Sequence, residues 1–237
     1  VNDSAVDGDT LTTTLVLGPS HGAVTVKLDG SFIYTPTTDY LGQDTVRYAV
    51  SDGDLSDTAV VTLTVQVPRC YVETTGDDKT DYASLDASAL QMAVDDAGPS
   101  DLIRVAGTCT GLQEREEVSQ TLYLDADLSV QGGYTATNWT AGPAPGIYTT
   151  TLSAEGGGRV VYVTYDADIT LDGLLIADGV NVGEEGGAGG AGIYSEGVLT
   201  LTQSTIKGNW SDYAGGGIYN AGTMVITGTT VVSNGAD

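Results

Sequence analysis

Short alternating runs dominate the hydrophobic pattern of this chain, and helical periodicity is confined to one stretch. Val24-Thr25-Val26-Lys27-Leu28 alternates apolar and polar positions, Asp29-Gly30 interrupts, and Ser31-Phe32-Ile33-Tyr34-Thr35 alternates again. An Asp-Gly pair between two such runs predicts a β-hairpin, because a tight hairpin turn needs the positive φ that glycine accepts. Residues 45–50 and 58–67 read as two further strands, parted by the turn Ser51-Asp52-Gly53-Asp54. Strands at this spacing predict a small β-sandwich over residues 1–67.

Pro68 ends that run and marks a boundary, since proline cannot donate to a sheet ladder. Over residues 84–97 the period changes: Leu85, Ala89, Leu90, Ala93, Val94 and Ala97 recur at helical spacing. Ser84 or Asp86 is placed to cap this helix, and Gly98-Pro99 stops it. The strand-like Leu102-Ile103-Arg104-Val105-Ala106 follows directly.

Internal repetition organises the remainder. Gly192-Ile193-Tyr194-Ser195-Glu196-Gly197-Val198-Leu199-Thr200-Leu201-Thr202 aligns with Gly217-Ile218-Tyr219-Asn220-Ala221-Gly222-Thr223-Met224-Val225-Ile226-Thr227, an offset of 217 − 192 = 25 residues. Ile206 then aligns with Val231 and Asn209 with Asn234. A diverged earlier copy runs through Val161-Tyr162, Ile169-Thr170-Leu171 and Ile176, and Leu128-Ser129-Val130 joins the same column. Each copy holds three short apolar clusters separated by turn residues, and one copy cannot bury its apolar face alone. Stacking copies at the ~4.8 Å spacing of paired strands buries all of them in one continuous core. The expectation is a right-handed parallel β-helix over residues 68–237, with cap and first coil at 68–110 and regular repeats at 192–237. Ile193 over Ile218, Tyr194 over Tyr219 and Asn209 over Asn234 would form side-chain ladders, and the helix at 84–97 would cover the first coil. Two insertions, at 135–148 and 178–191, leave the coils.

Both halves resemble known families. Asn2-Asp3-Ser4 with Asp7-Gly8-Asp9, then Gly18-Pro19-Ser20-His21-Gly22, Gly30-Ser31-Phe32-Ile33-Tyr34-Thr35-Pro36, Gly42-Gln43-Asp44 and Tyr48-Ala49-Val50-Ser51-Asp52-Gly53 resemble the bacterial cadherin-like and immunoglobulin-like tandem repeats of large surface proteins. That family carries one or two strands ahead of the Asn-Asp, so the resemblance implies a sandwich incomplete at its N-terminus. Gly190-Ala191-Gly192-Ile193 and Gly215-Gly216-Gly217-Ile218 resemble the Gly-Gly-Ala-Ile signature of polymorphic outer-membrane-protein repeats. Ile206-Lys207-Gly208-Asn209 and Val231-Val232-Ser233-Asn234 resemble that family's Phe-x-x-Asn, with an aliphatic residue in place of phenylalanine. A last repeat ending near Asp237 leads to the expectation of further coils, within a parent protein or supplied by a neighbour.

Charge narrows the partners. With 32 acidic and 8 basic residues the formal net charge is −24, which repels nucleic acid and anionic lipid surfaces. No apolar run of membrane-spanning length occurs, and no signal peptide opens the chain, so signal and anchor are expected on other parts of an exported protein. Cys70 and Cys109, without a CxxC or Cys/His cluster, favour a disulfide over two buried thiols, and over zinc.

Candidate sites are few. Asp3, Asp7 and Asp9, and again Asp52, Asp54 and Asp57, offer hard oxygens on loops and are candidate calcium ligands, although Asp-Gly pairs are also simply good turns. Calcium is the one candidate cofactor. His21, the only histidine, sits in a Pro-Ser-His-Gly turn and is read as a turn residue. Trp139 and Trp210 are candidate sugar contacts, with lids over the core as the alternative, and each lies in an Asn-Trp-Thr/Ser glycosylation pattern. Some parallel β-helices are polysaccharide lyases or glycosidases. Here Asp77-Asp78, Asp95-Asp96 and the set Asp166, Asp168, Asp172 and Asp178 are the carboxylates to weigh, and none stands in a recognisable catalytic context. The sequence therefore predicts a non-catalytic extracellular structural or adhesive cell-surface segment. Its partners would be other copies or flanking repeats, and cell-surface glycans. A filament or sheath subunit, and a carbohydrate-active enzyme or sugar-binding module, are the alternatives.

Overall fold

The computed structural model describes residues 10–38, 40–115, 118–182 and 189–237. The chain divides into two compact units, Val1–Val67 and Pro68–Asp237.

The first unit is antiparallel and Ig-like. Its strands are β1 (Thr12–Leu17), β2 (Gly22–Val26), β3 (Phe32–Pro36), β4 (Gly42–Ser51) and β5 (Ser56–Val65). They form a sheet in the order β1-β4-β5 and a β2-β3 hairpin. The hairpin pairs Val26 with Phe32, and Gly30 takes φ +83° in its turn. The sequence pattern overlooks β1, because Thr12-Thr13-Thr14-Leu15-Val16-Leu17 does not alternate. Pairing with β4 from Thr12↔Ser51 onward, not side-chain burial, is what makes it a strand.

Asp44, 4% exposed, ties the two antiparallel elements together. Its carboxylate accepts the amides of Ser20 (2.8 Å), His21 (2.7 Å) and Thr45 (2.9 Å) and the Tyr34 hydroxyl (3.1 Å). Desolvation pushes its pKa up, but these donors together outweigh it, so the carboxyl titrates below the usual carboxylate range. A depressed folded pKa contributes stability that is present above the unfolded value of ~3.9 and lost as pH falls through the folded value. Acidification should therefore release the Ser20 and His21 amides, and Asp44→Ala should release them at neutral pH. Amide exchange measured by NMR reads both effects.

The second unit is a parallel β-helix behind an antiparallel cap. The cap comprises β6 (Cys70–Glu73), β7 (Tyr82–Ser84) and α1 (Ser88–Asp96). Then comes β8 (Asp101–Thr110), long enough to bend across two faces, followed by the short β9 (Gln113–Arg115). The next coil holds β10 (Val118–Leu124), β11 (Leu128–Tyr134) and β12 (Thr150–Ser153). After it come β13 (Arg159–Val163), β14 (Asp168–Asp172), β15 (Leu174–Ala177) and β16 (Val180–Asn181). The following coil is β17 (Ile193–Ser195), β18 (Val198–Thr202), β19 (Thr205–Lys207) and β20 (Trp210–Ser211). The last described coil is β21 (Ile218–Asn220), β22 (Thr223–Thr227), β23 (Thr230–Val232) and β24 (Gly235–Ala236).

Successive coils pair in parallel, and their apolar residues stack in three inward columns. The first is Leu122–Val161–Ile193–Ile218. The second is Ile103–Val130–Leu171–Leu201–Ile226. The third is Cys109–Leu152–Ile176–Ile206–Val231. The repeat of 218 − 193 = 25 residues holds only between the last two coils. In the same column the earlier intervals are 161 − 122 = 39 and 193 − 161 = 32, because loops leave the coils there.

α1 starts later than its sequence period suggests, and Leu85 remains outside it and exposed. Both expected capping side chains nevertheless serve its first turn: Asp86 Oδ1 accepts the Ser88 amide (2.9 Å) and Ser84 Oγ the Ala89 amide (3.0 Å). Ala89, Leu90, Ala93 and Val94 close the end of the core. Gln91 does what no apolar residue could. Its Oε1 accepts the Tyr123 amide (2.9 Å) and its Nε2 donates to the Tyr123 carbonyl (3.0 Å), so one side chain pairs the edge of β10 as a neighbouring strand would. Gln91→Leu should cost about 1–3 kcal/mol by leaving both backbone groups unpaired. Faster Tyr123 amide exchange together with a lower denaturation midpoint is the expected result.

Candidate functional site

A polar column runs outside the second inward column. Glu73, Arg104, Gln131, Asp172, Thr202 and Thr227 are register partners on six successive strands. Glu73, fully buried, pairs with the Arg104 guanidinium, and that hydrogen bond raises the pKa of Arg104. Further along, Gln131 Nε2 donates to Asp172 Oδ2 (2.8 Å) and Thr202 Oγ1 to Asp172 Oδ1 (2.6 Å). Tyr134 donates its hydroxyl to Gln131 Oε1 (2.5 Å).

Two loops meet over the head of this column. In the connector between β6 and β7, Glu73 Oε1 accepts the amides of Gly76 and Asp77. Asp78, at φ +64°, accepts the amides of Trp139 (2.5 Å) and Thr140 (3.1 Å) from the loop between β11 and β12. Thr80 adds a hydrogen bond to the Ala136 carbonyl (3.2 Å) and receives one from Trp139 Nε1 (3.3 Å). The loops are thus zipped together, yet they enclose a cavity of about 290 Å³ lined by Glu73, Gly76, Arg104, Tyr134, Trp139 and Thr140, with Gly142.

A second ladder runs along another face. Tyr123, Tyr162, Tyr194 and Tyr219 stack with ring centroids 5.4, 5.1 and 5.4 Å apart. Arg159 lies over Tyr162 and Tyr194, at 5.6 and 4.7 Å, and donates to the Gly189 and Gly190 carbonyls. Glu196 accepts the hydroxyls of both tyrosines. Burial first, and then the Glu196 carboxylate, push the Tyr162 and Tyr194 pKa values up to about 12. Raised values mean that the stabilisation is complete below the ordinary tyrosine pKa of ~10 and lost as pH rises towards 12. A spectroscopic phenolate titration should show this pair ionising late, with the β-helix loosening over the same interval.

The candidate residues fare differently. Asp3, Asp7 and Asp9 lie outside the described residues. Asp52 spends Oδ1 on the amides of Asp54 and Leu55, and Asp57 caps the Thr58 amide, which is turn chemistry. Among the described residues no group of three or more His, Cys, Asp or Glu could hold a metal ion. Cys70 and Cys109 form a disulfide. Asn209 and Asn234 stack, with Asn209 Nδ2 donating to Asn234 Oδ1 (2.9 Å). A Cβ at Gly192 would fall 2.8 Å from Asn209 Nδ2, so this ladder requires glycine beside it. Asn209 is buried and unsuited to carry a glycan.

Of the two candidate sugar contacts, Trp139 is 3% exposed and packed on Tyr134 and Ala106, the placement of a lid over the core. Trp210 is 37% exposed, on β20. The carboxylates weighed for acid–base catalysis are largely engaged elsewhere. Asp77 binds Lys79, Asp78 the Trp139 loop, Asp95 Arg115, Asp96 the Tyr82 hydroxyl, Asp172 Gln131 and Thr202, and Asp178 the Ser153 hydroxyl. His21 stacks on Tyr40 at 4.1 Å.

An antiparallel Ig-like unit followed by a disulfide-bonded parallel β-helix places the chain among all-β proteins. Residues 1–64 match the family described as bacterial Ig domain, which points to a bacterial cell-surface protein. The match ends before the β-helical unit. Comparison with curated proteins finds no match, and neither does comparison with solved structures.

Proposed function

We propose that this chain is a non-catalytic segment of an extracellular bacterial surface protein, in which the β-helix acts as a stiff structural and adhesive element. The observation that carries this reading is the continuity of its columns. Apolar, tyrosine and polar ladders pass through successive coils in register, so each coil is stabilised by its neighbours along the axis. The disulfide adds a covalent clamp of a kind retained outside the reducing cytosol. The strong negative charge keeps such a β-rich surface from pairing edge to edge.

Surface labelling of intact cells with antibody against this chain, combined with turnover assays on neutral and acidic polysaccharides, tests the reading. Labelling without turnover is the expected result. A purely cytoplasmic location, or hydrolysis or elimination that tracks with the purified chain, would overturn it.

A further inference from the structure

The cavity at the head of the polar column plays no part in the structural role proposed above. Its walls come from two loops about 60 residues apart, joined at Asp78–Trp139, Asp78–Thr140, Thr80–Ala136 and Thr80–Trp139. Four hydrogen bonds of this kind could draw the loops into contact, yet a space of about 290 Å³ remains between them. Arg104 keeps 24% of its side chain exposed, while Glu73 beneath it is wholly enclosed. The oxygens of Glu73 are taken up by Arg104 and by the amides of Gly76 and Asp77, so its charge is answered from within the wall. The cavity is therefore lined by a guanidinium with donors to spare, by Thr140 and by two largely buried aromatic residues, Tyr134 and Trp139.

We propose that this cavity binds a single neutral monosaccharide unit, such as the end of a surface glycan. Guanidinium and hydroxyl groups beside aromatic carbon match a ring that alternates hydroxyls with C–H faces. The volume lies at the small end of ligand sites, which favours one ring over an oligomer. Neutrality follows from charge. Arg104 is already balanced by Glu73 and Lys79 by Asp77, which leaves Asp78 in the same loop and Asp172 further along the column. An anionic sugar would meet net repulsion there and from the chain as a whole. Tyr134 and Trp139 are 5% and 3% exposed and so offer little aromatic surface, which should keep affinity weak, with Kd of about 1–10 mM.

The chain has two tryptophans, which gives a direct readout. Methyl glycosides of glucose, galactose, mannose and N-acetylglucosamine are titrated to tens of millimolar, with glucuronate alongside, while the two indole N–H resonances are followed. The expected result is a saturable shift of Trp139 with at least one neutral glycoside and none at Trp210. Thr140→Phe, at an exposed position, puts a bulky ring at the cavity wall while leaving the Glu73 and Arg104 side chains themselves unaltered, and should abolish the shift while leaving the melting temperature unchanged. Should that variant unfold, Thr140→Val, which removes only the hydroxyl, is expected to weaken binding several-fold. Absence of any Trp139 shift, a shift that survives Thr140→Phe, or tighter binding of glucuronate than of every neutral sugar would overturn the proposal. Turnover of a glycoside would overturn the non-catalytic role proposed above and leave the site standing.

Discussion

Replacing both Cys70 and Cys109 with alanine should destabilise the β-helical unit by about 4 kcal/mol. Loop entropy sets the size, because the bond closes a segment with a sequence separation of 39 residues. Geometry sets the location. Cys70 lies in β6, opposite Gly107 of β8, and Cys109 lies in the β8 segment that pairs with β12. The bond therefore holds the antiparallel cap against the first coil. Both half-cystines are fully buried among Val72, Leu90, Ile103 and other core residues, so the substitutions also leave a void inside a packed end. Chemical denaturation with and without reductant measures the effect, and the variant's midpoint should fall to that of the reduced protein or below it. Amide exchange should show β6, β7 and α1 opening before the later coils. Equal midpoints in all forms would mean that packing alone holds the cap.

Deleting residues 192–216 should leave a folded β-helix that is one coil shorter. The excised block is one full 25-residue repeat, so Gly217 takes the place of Gly192. Ile218 then meets Val161, and Tyr219 meets Tyr162, as Ile193 and Tyr194 do now. A deletion one residue shorter should fail badly. Strand side chains alternate between faces, so a single-residue slip sends Ile218, Met224 and Ile226 outward and polar neighbours inward. Circular dichroism and thermal melting separate the outcomes. The in-register deletion should melt cooperatively, whereas the slipped one should lose the fold beyond β16. The same comparison asks whether the tyrosine column tolerates exchange of its members, since Tyr162 would stack directly on Tyr219.

Much of this architecture is legible in the residue pattern, and the exceptions have identifiable causes. The Asp29-Gly30 hairpin and the register of Ile193 with Ile218 are local or strictly periodic, so they can be read along the chain. Tyr123 and Tyr162 belong to the same ladder as Tyr194 and Tyr219, but loops stretch their intervals to 39 and 32 residues and hide the repeat. Gln91 looks like a solvent-facing polar residue beside Leu90. Only the approach of β10 gives its amide a backbone to pair with. The candidate cavity is harder still, because Glu73, Arg104 and Trp139 share no spacing rule and meet only where two loops cross.

By itself, the sequence determined the class of fold: β structure throughout, one capping helix, two units divided at Pro68, and coils repeating in register. Apolar periodicity encodes these features because burying an apolar face is a local demand that each segment makes on its own. The tertiary structure alone decided which side chains meet across the coils. It set the polar column from Glu73 to Thr227, drew Trp139 into the interior, and left a cavity beside Arg104. Those contacts depend on loop lengths and on hydrogen bonds between residues far apart in sequence, and neither leaves a periodic mark on the chain.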